Sequence, residues 1–323
     1  MPIKRISKRA CGLGLCISLA LTAGCGGGSS TSSVPPTDTT CSVSGSGNQL
    51  LSYTLSSPGS TSTAVSETLP YSYSWSCTTS TRSLTGNGVP NHAVTSGAFA
   101  TKVSAQSVSF SAPYSPTKAT VQTSAHPSGY AINSVKFDPQ TAGTCPSGAT
   151  SVSNCNYAGG TGFNMVAMAG STSPWVFDFG VDTSHAHVQP NGAYHYHGVP
   201  TGLVSKLNTN AGNAMTLVGW ASDGFPIYDQ YGDSASKTGT STLTKVTSGW
   251  TTKSIPVSNR PSTSVFAMGH FEEDWEFTGN VSSALDYCNG HTSATPEYPN
   301  GIYHYHITET YPFIQRYVCG KVN

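Results

Sequence analysis

The sequence predicts an all-β protein, built like a β-sandwich and with few or no long helices. Short runs that alternate apolar and polar residues recur between turn residues, and residues 71–75 are the clearest, with their aromatic rings on one face. No window of about twelve residues carries the apolar stripe of a helix without glycine, proline or Ser/Thr clusters. Charged residues make up only 9% of the chain. This composition favours an extracytoplasmic β protein over a cytosolic α/β enzyme.

Residues 1–24 are predicted to be a signal peptide of the lipoprotein type. Four basic residues and no acidic ones precede an apolar run that is too short for a comfortable membrane span. The run ends in a sequence resembling a lipobox, which makes Cys25 the expected lipidation site, although Thr22 stands where such motifs usually have Leu. Residues 25–40, rich in Ser, Thr, Gly and Pro, are expected to form a flexible tether. We therefore expect a bacterial cell-envelope protein whose membrane partner is reached through lipid on Cys25, at the outer membrane, or a secreted protein if Cys25 is not acylated.

Cleavage of this leader changes the net charge. The leader holds four of the 15 basic residues and none of the 15 acidic ones, so 11 basic residues remain against 15 acidic ones, a net charge of −4. No basic patch is left for nucleic acid, and we expect no nucleic-acid partner. The remaining residues, 41–323, are long enough for one large β domain with a substantial core.

Six cysteines remain after the leader and Cys25, and an even number in an exported chain predicts three disulfides. The alternative is a thiolate metal site, but the chain has no Cys-x-x-Cys motif. Six cysteines allow about fifteen pairings. Pairing in sequence order is preferred: Cys41 with Cys77, Cys145 with Cys155, and Cys288 with Cys319.

An internal repeat is visible in three landmarks that occur twice in the same order: 129–139 and 219–229, 175–177 and 275–277, and 190–197 and 299–306. In the last pair seven of eight residues are identical, which chance explains poorly. We interpret the repeat as a duplicated β module, with halves of approximately 70–200 and 201–320. If the halves pack around a pseudo-twofold axis, the two Tyr-His-Tyr-His strands can become neighbours.

Four of the ten histidines surround the Pro-Asn-Gly turn at 190–192, namely His185, His187, His195 and His197. A type I turn followed by a left-handed glycine pairs His187 with His195 and places all four imidazoles on one face. A two-residue Asn-Gly turn pairs His187 with Tyr196 instead and divides the histidines between both faces. Pro190 favours the first of these turns, and the second remains the alternative.

Imidazoles on one face of such a hairpin are spaced to bind a metal ion. Cross-strand Cβ atoms lie about 5 Å apart, so two or three ring nitrogens can converge on one ion at about 2 Å. Copper or zinc suits an all-imidazole site best. His304 and His306 would join this cluster if the two tetrad strands are neighbours, although the strand before their turn offers no histidine partner. The alternative is that the histidines form the solvated face of an edge strand.

Other candidate residues are fewer. Glu273 and Asp274 lie in an acidic segment and are candidates to support a metal ligand or to act as general acid or base; the alternative is a solvated loop. His92 is either a local hydrogen-bond partner or a ligand. The chain lacks a Gly-x-Ser-x-Gly elbow, a phosphate loop, a dinucleotide fingerprint and a His-Glu-x-x-His helix. Serine hydrolase, kinase and dehydrogenase functions therefore lack support.

Residues 185–198 resemble the signature of the YHYH domain family, a bacterial extracytoplasmic family named for this tetrad. Four further segments resemble landmarks of that family: 87–92, 223–228, 273–274 and 285–290. The likeness covers roughly residues 75–320. It implies a secreted or lipid-anchored domain and assigns no activity.

The first functional hypothesis is an extracytoplasmic protein that binds copper or zinc through the histidine hairpin. The second is a metal-dependent hydrolase or oxidase with an open metal site, using Glu273 or Asp274 as the base. The third is a surface interaction module that binds no metal.

Overall fold

The computed structural model describes residues 39–56, 61–156, 159–171, 179–209, 213–233, 243–279 and 285–322. The predicted signal peptide, Cys25, most of the predicted tether and the 175–177 landmark lie outside these residues. The first described element is a 3-10 turn at Thr39–Cys41, where buried Arg82 donates a hydrogen bond to the Thr40 carbonyl. Within the described ranges, no helix is both long enough and apolar enough to cross a membrane.

Strands dominate this part of the chain and confirm the all-β prediction. The strands are β1 (Ser44–Leu55), β2 (Thr63–Cys77), β3 (Thr81–Gly86), β4 (Ala98–Phe99), β5 (Val108–Pro113), β6 (Lys118–Ser124), β7 (Gly129–Ala131), β8 (Lys136–Phe137), β9 (Thr144–Cys145), β10 (Phe163–Asn164), β11 (Ala186–Val188), β12 (Tyr194–Tyr196), β13 (Leu217–Ala221), β14 (Pro226–Tyr228), β15 (Tyr231–Asp233), β16 (Leu243–Lys245), β17 (Trp250–Thr252), β18 (Trp275–Phe277), β19 (Gly290–Ser293), β20 (Ile302–His306) and β21 (Tyr317–Gly320). The helical elements of the described residues are one α-helix, α1 (Thr201–Leu207), and short 3-10 turns at Thr39–Cys41, Val152–Asn154, Ala167–Ser171 and Glu272–Asp274.

The N-terminal part of the domain forms a five-stranded sheet in the order β4–β1–β2–β3–β5. Strands β1 and β2 pair antiparallel from Ser44 opposite Ser74 to Leu55 opposite Thr63. Alternation along these strands exposes Ser and Thr on one face and buries Trp75 on the other. The strand predicted over residues 71–75 is confirmed as part of β2.

A second sheet of eight strands carries both tetrads, in the order β11–β12–β8–β7–β13–β14–β20–β19. The two sheets share buried side chains, since Leu51 of β1 lies in one apolar cluster with Tyr196 and Tyr305 of the second sheet. Trp75 packs against Trp220 with 4.7 Å between ring centroids. Full burial of such large side chains contributes about 2–3 kcal/mol each, so this shared layer is a main source of stability.

The eight-stranded sheet has a pseudo-twofold arrangement about its centre. There β7 and β13 pair antiparallel, with Tyr130 opposite Trp220. Outward from β7, the first half adds β8 (antiparallel), the tetrad strand β12 (parallel to β8) and the edge strand β11 (antiparallel). Outward from β13, the second half adds β14, the tetrad strand β20 and the edge strand β19 in the same orientations. Phe137 lies opposite Tyr196 in one half, and Ile227 lies opposite Tyr305 in the other. Phe137 and Ile227 are equivalent positions of the sequence repeat, and so are Tyr196 and Tyr305. This equivalence supports duplication as a proposal.

The tetrad strands β12 and β20 are second and seventh in the sheet. The expectation that they are neighbours is therefore wrong. The symmetric contact is made by β7 and β13, which hold the two tetrads apart.

All three disulfides predicted from sequence order are confirmed. They join Cys41 to Cys77, Cys145 to Cys155, and Cys288 to Cys319. The third links the segment before edge strand β19 to β21, which pairs with β6.

Candidate metal centres

The Pro-Asn-Gly turn fixes the register of the first hairpin. Gly192 donates a backbone hydrogen bond to Gln189 (2.8 Å), Gln189 donates one to the Ala193 carbonyl (3.0 Å), and Gly192 has a φ of +86°. This is the three-residue turn with a left-handed glycine, and it places His187 opposite His195. The predicted register is confirmed.

Three histidines of this hairpin form the first triad: His187, His195 and His197. Their ring centroids lie 4.5–4.7 Å apart. One nitrogen of each ring lies within 4.8 Å of the others, and the Nε2 atoms of His187 and His197 are 3.1 Å apart. His195 and His197 are buried and His187 is partly buried. This spacing allows three ligands to reach one ion.

His185 does not join the first triad, contrary to the expectation of four imidazoles on one face. Its backbone carbonyl does accept a hydrogen bond from the His197 N–H, as the register requires (2.8 Å). Its φ of +54°, however, is left-handed, so its side chain leaves the face shared by the triad. The ring Nδ1 instead donates to the Val199 carbonyl (2.7 Å).

A second triad lies at the other end of the sheet and consists of His291, His304 and His306. His291 stands opposite His304 in the β19–β20 pair, and the Nε2 atoms of His304 and His306 are 3.1 Å apart. The expectation that His304 and His306 lack a partner in the preceding strand is therefore wrong. His291 was missed because residues 294–301, between β19 and β20, separate it from the tetrad.

A sequence signal for His291 existed in the spacing from an aspartate. Asp182 precedes His187 by five residues, and Asp286 precedes His291 by the same number. Both aspartates accept backbone hydrogen bonds from residues two and four positions later, which shapes the turn into the edge strand.

The Nδ1 atoms of most triad rings are held by backbone carbonyls. In the first triad, His187 bonds to the Phe179 carbonyl (2.8 Å) and His195 to the Ala193 carbonyl (3.1 Å). In the second triad the bonds run from His304 to the Ile302 carbonyl (2.9 Å) and from His306 to the Asp229 carbonyl (2.8 Å). A carbonyl accepts but cannot donate, so each of these Nδ1 atoms carries the proton. In a neutral ring the Nε2 atom then carries the lone pair that a metal ion can bind.

Burial keeps four of the six triad rings neutral, those of the two tetrads. It lowers the pKa of His304 to about 3, with His291 nearby adding to the effect. The pKa values of His195, His197 and His306 are also well below the ordinary value, first through burial and then through neighbouring imidazoles. Neutral imidazole is the form that binds a metal.

The tyrosines of each tetrad point to the opposite face, into the core. Tyr194 donates to buried Asp182 (2.6 Å) and Tyr303 to Asp286 (3.0 Å). These bonds join each tetrad strand to the aspartate that shapes its edge strand. The tyrosine face therefore holds the ligand face in place.

His92 lies on this tyrosine side and belongs to neither triad. Its Nδ1 donates to the Ala93 carbonyl (3.0 Å), and its Nε2 accepts from the Tyr196 hydroxyl (2.7 Å). In the second half, the equivalent Tyr305 hydroxyl donates to Asp223. Of the two roles considered for His92, the structure shows the hydrogen-bond partner.

The flanks of the two triads differ in charge. Lys136 stands opposite His195 on β8, and Asp138, 1% exposed, follows two residues later. Burial alone would raise the pKa of Asp138, but a hydrogen bond from His126 and the neighbouring Lys136 hold it well below its usual range. The same positions beside the second triad hold Pro226 and Tyr228.

Tyr228 covers one side of the second triad. Its ring centroid lies 5.2 Å from that of His304, and its hydroxyl bonds to Glu297 (2.7 Å). The first triad thus has a buried ionic neighbour where the second has an aromatic ring.

Neither predicted acid–base carboxylate belongs to a triad. Asp274 is fully buried, and both its oxygens accept from the Arg260 guanidinium (2.6 and 2.8 Å). Glu273 accepts hydrogen bonds from the backbone and side chain of Asn164. Both carboxylates therefore have their hydrogen-bond partners outside the two triads.

A further group of potential ligands comprises Asp286, Cys288 and Cys319. Its two sulfur atoms form a disulfide and therefore offer no thiolate.

These observations define the class: an all-β protein with two histidine triads, each built on a Tyr-His-Tyr-His strand of one sheet. The chain belongs to the YHYH protein family, whose model matches residues 109–320. The resemblance seen in the sequence is thereby confirmed. Neither a curated protein nor a solved structure matches the chain significantly.

Proposed function

We propose that the protein binds a transition-metal ion, zinc or copper, at each of its two histidine triads. Each triad offers three converging imidazoles, and no other ligand chemistry is needed to hold such an ion. The proposal includes a bacterial cell-envelope location.

The observation that carries the proposal is the proton arrangement of the second triad. His304 and His306 both donate from Nδ1 to backbone carbonyls, so both Nε2 atoms bear lone pairs. These lone pairs face each other across 3.1 Å. A proton between them would create a buried cation, which the lowered pKa of His304 opposes. A metal ion in the triad removes the repulsion and satisfies both atoms.

The distance also agrees with shared coordination. Two nitrogens bound to one ion at about 2.0–2.1 Å in tetrahedral geometry are separated by about 3.3 Å. The 3.1 Å between Nε2 atoms in each triad is close to that value. Only a small movement of either ring is needed to bind the ion.

Titration of metal-free protein with zinc, against a competing chromophoric chelator, tests the proposal. Wild-type protein is expected to bind two equivalents. His306→Asn should remove the second site and His195→Asn the first, while the double variant binds neither ion. Asparagine keeps an amide donor near the Nδ1 position and removes Nε2.

His185→Asn is the matched control. The second half already has Asn289 at the equivalent place, with a φ of +62° beside +54° for His185. This variant should still bind two equivalents. Binding of neither zinc nor copper by native wild-type protein would contradict the proposal and leave the metal-free interaction module as the better account.

The envelope location rests on the lipobox-like sequence and the three disulfides, which form in oxidising compartments. Fatty-acid labelling and membrane fractionation test it. Cys25→Ser should abolish labelling and release the protein from membranes. Lipid anchoring would be contradicted if the wild-type protein takes up no fatty acid and fractionates in the same way as the Cys25→Ser variant.

A metal-dependent hydrolase or oxidase is the second candidate. Three ligands leave a position open to water on a four-coordinate ion, the arrangement of catalytic zinc sites. Asp274 and Glu273 are bonded elsewhere. Turnover that depends on a triad, together with an exchangeable metal-bound water, would favour this candidate.

A further inference from the structure

One nitrogen of the first triad is not held by the backbone. His197 Nδ1 is buried and has no hydrogen-bond partner among the described residues. The Nδ1 atoms of His187 and His195 bond to carbonyls, as does that of His306, the counterpart of His197 in the second half. Among these four rings, His197 is the exception.

The missing partner has a consequence for metal binding. Without metal, His197 can donate from Nε2 to the Nε2 of His187, 3.1 Å away. With metal on its Nε2, His197 must carry its proton on Nδ1, as any neutral imidazole does. A buried N–H without an acceptor destabilises the state that contains it. The loaded triad therefore needs an acceptor beside His197.

The sheet places Asp138 at the right position to be that acceptor. Phe137 is paired with Tyr196, and the Asp138 N–H donates to the Tyr196 carbonyl (2.9 Å), so the ladder continues to the next pair of residues. That pair is Asp138 and His197. Lys136, opposite His195, and Asp138 lie two residues apart and therefore point to the same face as the triad.

Several contacts hold this carboxylate in the buried layer. Its Oδ2 accepts from Lys136 (2.9 Å) and Gln189 (3.2 Å), and its Oδ1 lies 2.9 Å from His126 Nδ1. A carboxylate oxygen has capacity for more than one donor. Asp138 thus has room for His197 and stays anchored.

We propose that Asp138 is the carboxylate partner of His197 in the metal-loaded first triad, accepting a hydrogen bond from Nδ1. The assignment rests on the proposed metal binding. It makes Asp138 a positioning residue, which acts through His197 and not on the ion directly. Such carboxylate–histidine–metal arrangements fix the ring and strengthen the ligand. In the second half, the Asp229 carbonyl serves His306 instead.

Asp138→Asn tests the proposal because it keeps the size of the side chain and removes its charge. In a His306→Asn background, where only the first triad binds, it should weaken zinc about 10–100-fold. In a His195→Asn background, where only the second triad binds, it should leave the affinity unchanged. The metal-free melting temperature of each variant separates this effect from a loss of folding.

The outcomes distinguish the two proposals. If the His306→Asn protein binds no zinc at all with Asp138 intact, metal binding at the first triad fails. If it binds zinc and Asp138→Asn changes the affinity less than twofold, the role of Asp138 is overturned while metal binding stands.

A second measurement uses the wild-type protein and does not depend on a variant that folds. Long-range proton–nitrogen NMR spectra of the zinc-loaded protein report which ring nitrogen of each histidine carries the proton. His197 should show zinc on Nε2 and a strongly downfield Nδ1 proton. A protonated Nε2 on His197 in the loaded protein would overturn the proposal.

Discussion

The two triads share one construction and differ in their flanks. In both, an edge strand supplies one histidine opposite the first histidine of a tetrad, and the second tetrad histidine completes the site. Beside the first triad lies the Lys136–Asp138 pair; beside the second lies the ring of Tyr228. The sheet therefore sets where the ligands stand, and the flanking residues set the charge around each ion.

A disulfide, Cys288–Cys319, lies next to the second triad in sequence, and its removal is expected to have the largest effect. Cys288 precedes Asn289, whose side chain donates to the His306 carbonyl (2.8 Å) and whose carbonyl accepts from the His306 N–H (3.0 Å). Replacing Cys288 and Cys319 by Ala should cost about 3–4 kcal/mol in the free energy of unfolding, from loop entropy. It should also weaken zinc binding at the second triad alone. Chemical denaturation and zinc titration measure both.

The matched control removes the disulfide between Cys41 and Cys77. Its sequence separation is 36 residues against 31 for the Cys288–Cys319 pair, so the entropic cost is similar. This variant should leave both zinc affinities intact. Equal weakening of the second site by both variants would mean that only global stability matters there.

The core sides of the two tetrads predict opposite pH dependence. Burial lowers the pKa of His92 to about 4, below the 6.5 of the unfolded chain, so its contribution to stability is lost as the pH falls from 6.5 towards 4. Burial raises the pKa of Asp223 above that of the unfolded chain. The contribution of Asp223 to stability is therefore present at low pH and is lost as the pH rises through this raised pKa.

His92→Gln keeps an acceptor for Tyr196 and removes this titration. Between pH 7 and pH 5, metal-free wild type should lose about 2 kcal/mol more unfolding free energy than the variant. Asp223→Asn should change the dependence of the unfolding free energy on pH in the opposite direction. Parallel pH profiles of wild type and His92→Gln would refute the assignment of a neutral, buried His92.

The smallest expected effect is the difference in stability loss when the hydroxyl of each tyrosine–aspartate hydrogen bond is removed. Asp182 is 5% exposed, whereas the side chain of Asp286 is 37% exposed and also contacts Lys118. Loss of the hydroxyl leaves a buried acceptor unsatisfied only at Asp182. Tyr194→Phe should therefore destabilise the protein by about 1 kcal/mol more than Tyr303→Phe in urea denaturation. The reverse order would contradict the different burial of the two aspartates.

Local chemistry made much of the first triad predictable. Pro190 and Gly192 determine the turn, the turn determines the register, and strand alternation separates histidines from tyrosines. The disulfides followed from sequence order for a similar reason, since each pair closes a short loop. These features depend on residues that are close in the chain.

The remaining features depend on tertiary structure. The left-handed backbone of His185 could not be predicted from the residue type, because only a small fraction of residues other than glycine adopt it, and the same holds for Asn289 at the equivalent place. Asn164, which holds Glu273, lies 109 residues before it in the sequence. Strand order is equally non-local, so the separation of the tetrads was not visible in the repeat.

Anomalous diffraction at the zinc edge, from crystals of zinc-loaded protein, tests the central claim most directly. Two peaks are expected, one in each triad, with three Nε2 atoms at about 2.0–2.1 Å from each. Well-defined triads with no peak, or zinc bound only elsewhere on the chain, would contradict it.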